Sequence, residues 1–172
     1  MADEINTDDM LGMYLFENSQ LLENLQEIVL EQKDEDYFDE DSINQIFRAM
    51  HTIKGSSAVM MFDDITKVAH KLEDIFYFLR ESHPKNVPHL ELVTYVLDVS
   101  DFISAELDKI QDGGAADGNS SELIGKLDEF LSKIKDEAPA SKKGAKKEEP
   151  KKEVKKEVKK DEVEDFGFNI SF

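Results

Sequence analysis

His51, Lys54 and Gly55 place an imidazole, an ammonium and a residue without a side chain within five positions. If the segment is helical, Gly55 lies about one turn after His51. Side chains on a helix lean toward its N-terminus, so a larger residue at 55 would lean over the ring. Glycine inside a helix costs about 0.5–1 kcal/mol relative to alanine, so its presence there points to clearance around the imidazole. His51 follows the apolar Met50 and sits beside the apolar stripe, where a nitrogen can face solvent. The chemistry open to such a group is nucleophilic.

A second helix must supply what the imidazole lacks. Folding the chain into an antiparallel hairpin about Phe62 sets His51, eleven residues before the turn, opposite Glu73, eleven after it. Lys54 and His70 match likewise, eight residues on either side. At a rise of about 1.5 Å per residue the first pair lies about 16 Å from the turn. A carboxylate accepting from Nδ1–H fixes the Nε2 lone pair outward and strengthens it as a nucleophile. That nitrogen could take a phosphoryl group, with Glu73 orienting it, Lys54 offering positive charge and His70 completing the network. The chain has no P-loop and no glycine-rich kinase loop, so nucleotide and magnesium would have to come from partners.

Two other readings use the same residues. His70 and Glu73 share a helix face near His51 and Asp74, as metal ligands would. Di-metal bundles, however, use several carboxylates and two Glu-x-x-His motifs, whereas this chain has one reversed copy, so no metal is expected. The other is a passive docking bundle in which His51 is merely solvated. His83 and His89 flank prolines and read as structural, and Met50, Met60 and Met61 as packing.

The elements that position these groups are all helical. Residues 9–31 carry Leu11, Leu15, Leu22, Leu25 and Val29 on one stripe, with Tyr14, Leu21 and Ile28 beside it. An acidic loop over residues 34–41 follows, and Ser42 is the expected N-cap of a second helix with the stripe Ile43, Ile46, Phe47, Met50, Ile53 and Ser57. Asp63 or Asp64 would cap a third helix, in which Ile65, Val68, Ala69, Leu72, Ile75, Phe76 and Leu79 keep the helical period without a miss. After Pro84 and Pro88 comes a fourth, through Leu90, Val93, Leu97, Leu107 and Ile110; Gly113, Gly114 and Gly118 break it, and a shorter fifth carries Leu123, Leu127, Phe130, Leu131 and Ile134. Short connections favour antiparallel neighbours. The expected fold is all-α, an up-down four-helix bundle with an additional C-terminal helix.

Composition divides the chain further. Residues 136–165 hold ten lysines and ten acidic residues, so the net charge of -18 lies wholly in residues 1–135, where 29 acidic side chains face 11 basic ones. Such a domain repels nucleic acid and anionic lipid and would favour basic protein surfaces. The expected organisation is a domain over residues 1–135, a charged flexible linker over 136–165, and at 166–172 the start of a following domain, where Phe166, Phe168, Ile170 and Phe172 alternate as in a strand. There is no cysteine, and no uninterrupted apolar run exceeds five residues, as in Ala58 to Phe62. Neither a signal peptide nor membrane insertion is expected, and a cytoplasmic setting fits.

The stretch HTIKGSSAVMMFDDITKVAHKLEDIFYFLRE, residues 51–81, resembles the histidine-phosphotransfer (HPt) domain of the chemotaxis histidine kinase CheA. The family pairs a phospho-accepting histidine and a following Lys-Gly with a His-x-x-Glu on the next helix, which match His51, Lys54, Gly55, His70 and Glu73. Where the family often has two further glycines, this chain has Ala58 and Met61. In helix order the resemblance covers residues 8–135. It implies phosphorylation by an ATP-binding kinase domain outside this chain, with ATP and magnesium bound by partner domains, and then transfer to CheY-like and CheB-like response regulators.

Overall fold

The structure, a computed structural model, describes residues 2–137; the strand expected at 166–172 and nearly all of the linker lie outside the described residues. Among the described residues there are five helices and no strand: α1 Ala2–Gln32, α2 Glu40–Val59, α3 Asp63–Ser82, α4 His89–Gln111 and α5 Ser121–Glu137. α1 packs on α2, α2 on α3, α3 on α4, and α4 closes the ring against α1. The connections between α2 and α3 and between α3 and α4 are short and set antiparallel neighbours. α5 lies outside this ring. Ser120 bonds Asp64 at the start of α3, Lys71 pairs with Asp128, and Lys133 pairs with Glu91 near the start of α4, so α5 runs parallel to α3 and antiparallel to α4.

The core is apolar and contributed by every helix, with Leu25, Ile46, Met50, Ile53, Leu72, Ile75, Phe76, Ile103, Leu127 and Phe130 almost without exposed surface. The period of α3 holds as expected, every residue of its stripe being buried. Two stripes match their sequence reading only in part, with Leu22, Leu25 and Val29 on α1 and Val93, Leu107 and Ile110 on α4 buried as expected. On α1 the buried line is Tyr14, Asn18, Leu22, Leu25 and Val29, and Leu11 and Leu15 are only half-buried. On α4 Leu90 faces solvent, and Leu92, Val96, Val99 and Ile103 point inward.

The buried Asn18 belongs to a polar seam between α1 and α2. Its Nδ2 donates to the Tyr14 carbonyl at 2.7 Å and to Ser56 Oγ at 3.2 Å. Tyr14 and Ser57 share a hydrogen bond between their hydroxyls, also 2.7 Å. Buried polar groups are tolerated when bonded, and the bonds to Ser56 and Ser57 fix α1 against the end of the helix that carries His51.

The helix starts differ from expectation. Asp39, not Ser42, caps α2: its carboxylate accepts from the Ser42 amide at 2.8 Å, and Ser42 is buried in the first turn. The bond to the Ser42 backbone, supported by Ser42 and Gln32 side chains, holds the Asp39 carboxyl below its ordinary range. α3 begins after Phe62 without a side-chain cap, and Asp63 and Asp64 sit in its first turn, where they favour the positive end of the helix. Asp64 turns instead to α5, accepting from the Ser120 hydroxyl at 2.5 Å and its amide at 3.2 Å.

Candidate functional site

α2 and α3 are the most extensively packed pair, and the site lies on their shared outer face. Ile46, Met50 and Ile53 on α2 and Leu72, Ile75 and Phe76 on α3 lock the two helices through the core. His51 and Glu73 each sit next to one of these anchors, so their relative height follows from the packing beneath them. His51 Nδ1 and Glu73 Oε2 are 2.6 Å apart, with the imidazole 45% exposed and the carboxylate 9%. The expected opposition of the two residues is present.

The protonation of the pair follows from its surroundings. Burial, the largest single influence on Glu73, pushes its carboxyl up; the hydrogen bond from His51 and the close contact with Lys54, with the charges of both, outweigh it and hold the group below its ordinary value. Glu73 is therefore ionised at neutral pH and can only accept, which places the shared proton on Nδ1 of the ring. In the neutral imidazole the remaining lone pair belongs to Nε2. With Nδ1 held by Glu73, Nε2 is the nitrogen left unbonded by the carboxylate on a ring that is 45% exposed.

Lys54 departs from its expected pairing with His70. Its ammonium meets the other oxygen of Glu73, Oε1, at 2.6 Å, off the line of a well-formed hydrogen bond, so the contact is an ion pair. A long flexible stem lets the lysine follow the nearest buried negative charge rather than the residue at its own height. His70 makes no hydrogen bond or ion pair with His51 or Glu73. It is 54% exposed and faces Asp74, one turn along its own helix, at 3.5 Å. The quartet inferred from spacing is thus a triad of His51, Glu73 and Lys54, with His70 beside it. Asp74, which spacing placed here only as a metal ligand, is instead the partner of His70: burial pushes its carboxyl up, His70 pulls it down and Glu73 pushes it up again.

Gly55 is exposed, and a Cβ added there would meet nothing within 4 Å, so the position has room for at least one more carbon. Phe47, read from sequence as a core residue, is half-buried one turn before His51, its ring nearly parallel to the imidazole. The i and i+4 spacing was the available signal.

Among the described residues, no three His, Cys, Asp or Glu side chains converge as the ligands of a metal would, and no helix is long and apolar enough to cross a membrane. His89 is buried, with Nε2 at 2.8 Å from the Gln32 carbonyl, and His83 takes the left-handed conformation that ends α3; both are structural, as expected.

Comparison with known proteins gives consistent matches. The family model described as Hpt domain matches residues 9–113. The chemotaxis protein CheA of Borreliella burgdorferi is 32% identical over 128 residues, covering 74% of this chain and 14% of that protein. The chain thus spans about a seventh of that relative's length. The solution structure of the histidine phosphotransfer domain of CheA superposes with a TM-score of 0.59 at 31% identity, covering 82% of this chain and 96% of that one. The phosphorylated P1 domain of CheA3, solved in complex with CheY6 from R. sphaeroides, gives 0.61 at 28% identity, covering 74% and 96%.

Proposed function

Because this chain belongs to the Hpt domain family, we propose that His51 is its phosphoacceptor and that residues 1–135 form the phosphotransfer module of a CheA-type chemotaxis kinase. The observation that carries this reading is the pair His51 and Glu73: one ring nitrogen bonded at 2.6 Å to a buried carboxylate, on an imidazole side chain that is itself 45% exposed. The neutral ring attacks the γ-phosphorus of ATP through Nε2. An N–P bond forms, the bond from phosphorus to the ADP oxygen breaks, and ADP leaves. The ring becomes a cation whose Nδ1–H remains on Glu73, and the carboxylate stabilises that charge as it develops. Transfer onward reverses the logic: an aspartate oxygen of a response regulator attacks phosphorus, the N–P bond breaks, and the lone pair returns to Nε2.

Lys54 holds Glu73 in the resting state and lies one turn from His51, where its charge favours an approaching phosphoryl group. His70 tunes the site at one remove, through Asp74. The open surface at Gly55 admits the partner. ATP and magnesium are supplied by the kinase domain, since this chain offers no phosphate-binding loop. The partners are that domain and regulators of the CheY and CheB type. The P1 domain of CheA3, similar to this chain, is solved with CheY6, which supports the first type. Meeting such partners implies a cytoplasmic setting.

The test uses the full chain with ATP and an added CheA kinase core, or with phosphoramidate as a small donor. The expected result is one acid-labile phosphoryl group per chain, absent in His51→Gln. A His51→Gln variant that still labels would remove the reading and leave a docking bundle.

A further inference from the structure

The hydrogen bond to Glu73 and the covalent link through Cβ hold one edge of the His51 ring, but the ring plane can still tilt through small changes of χ1 and χ2 within the tolerance of that bond. That tilt would sweep the Nε2 lone pair across the surface. Phe47 lies one turn earlier on the same face of α2, its ring centroid 6.2 Å from that of His51 and its plane within 17° of parallel. This is an offset stack, within the range in which aromatic pairs attract. Phe47 is itself held from α3: the Arg80 guanidinium stands 4.3 Å above its ring, and Tyr77 lies 6.2 Å away between ring centres. Arg80 also approaches Tyr77, at 5.7 Å, so the three side chains form one cluster bridging the two helices. Core packing alone does not require this, because Phe47 and Arg80 are only half-buried and Tyr77 is exposed.

We infer that Phe47 is a positioning residue for phosphoryl transfer, its ring, clamped by Arg80 and Tyr77, setting the plane of the His51 imidazole so that Nε2 stays aimed outward. The inference rests on His51 being the acceptor. Glu73 fixes the edge and Phe47 the face, and two constraints from different directions are what hold a nucleophile in a near-attack geometry. Arg80 acts through Phe47 and touches no reacting atom.

The experiment compares the full chain with Phe47→Leu, Phe47→Ala, Phe47→Tyr and Arg80→Ala. Labelling rates are read with phosphoramidate and with an added CheA kinase core, and the His51 ring nitrogens are followed by NMR. Phe47→Leu keeps apolar bulk without a flat face, so it separates stacking from folding. The expected result is a several-fold slower rate with both donors for Phe47→Leu and Phe47→Ala, with a weakened Nδ1–H signal and an unchanged melting curve. Phe47→Tyr should recover the wild-type rate, and Arg80→Ala should fall between. Unchanged rates and ring signals in Phe47→Leu would overturn the inference. So would a loss confined to the kinase core, which would make Phe47 a docking residue. Failure of the underlying reading looks different: the unmutated chain would not label, or His51→Gln would.

Discussion

A carboxylate removed from water yet held ionised is costly unless its partners are in place, and Glu73 has two within 2.6 Å. Replacing it by glutamine keeps an acceptor for Nδ1–H but removes the charge that stabilises the ring cation and leaves Lys54 without its ion-pair partner. Glu73→Gln should therefore slow phosphorylation several-fold while the helical circular dichroism signal persists; an unchanged rate would show that carboxylate and imidazole are uncoupled. Counting residues from the turn was enough to pair His51 with Glu73, because a helical hairpin converts sequence distance into height. It failed for Lys54 and His70, which also match in height. Height says nothing of reach or charge: the lysine stem extends to the buried anion, and His70 is caught by Asp74 on its own helix.

At the level of the helices, the turn between α2 and α3 sets the register on which the site depends, and it is built on the wrong residue for its shape. Phe62 N–H donates to the Ser57 carbonyl and Met61 N–H to Ala58, which closes the end of α2 in a Schellman arrangement. Met61 there has φ 67 and is 79% exposed. The end of α4 makes the same two bonds, from Gly114 to Lys109 and from Gly113 to Ile110, but with glycine at the positive φ. A side chain in this conformation costs roughly 1–2 kcal/mol, partly offset by the greater unfolded freedom of glycine. Met61→Gly should stabilise the domain by about 0.5–1 kcal/mol in a urea melt; no gain would mean the turn is not strained. At the other end of α2, Asp39→Ala removes the cap and should cost about 1 kcal/mol in the same assay. The sequence marked both ends but misassigned the cap, since Asp39 and Ser42 are both good N-cap types and three residues apart. α4 escaped the sequence pattern on part of its buried face for a different reason. It is apolar on more than one side because it faces both the ring and α5, where Tyr95 meets Phe130 at 5.1 Å, and a two-sided pattern does not fix which side is inward.

For the whole domain, two kinds of carboxylate pull stability in opposite directions as acid is added. The excess of acidic over basic residues in 1–135 makes the folded state repel itself near neutral pH, and protonation relieves that repulsion. Asp74, pushed up by burial, acts in the same sense: its folded form binds a proton before its unfolded form does, so stability rises as pH falls toward the ordinary value of 3.8. Asp39, Asp64 and Glu73 act the other way. Asp64 is held down chiefly by the Ser120 hydroxyl, Asp39 by the Ser42 backbone, and Glu73 by His51 and Lys54 against its burial. Each contributes stability that is present above its unfolded value, 3.8 for the aspartates and 4.5 for Glu73, and lost as pH falls through its lower folded value. Melting temperature should thus rise only as pH falls below about 6, where Asp74 begins to bind a proton, and fall steeply below about pH 4. Added salt screens the distributed repulsion more than the close pairs, so it should flatten the upper arm and leave the acid fall in place. Asp64→Asn should soften that fall by removing the tie between α3 and α5. A melting temperature that declines steadily from pH 8 downward would mean that self-repulsion contributes little and the fold depends on its paired carboxylates alone.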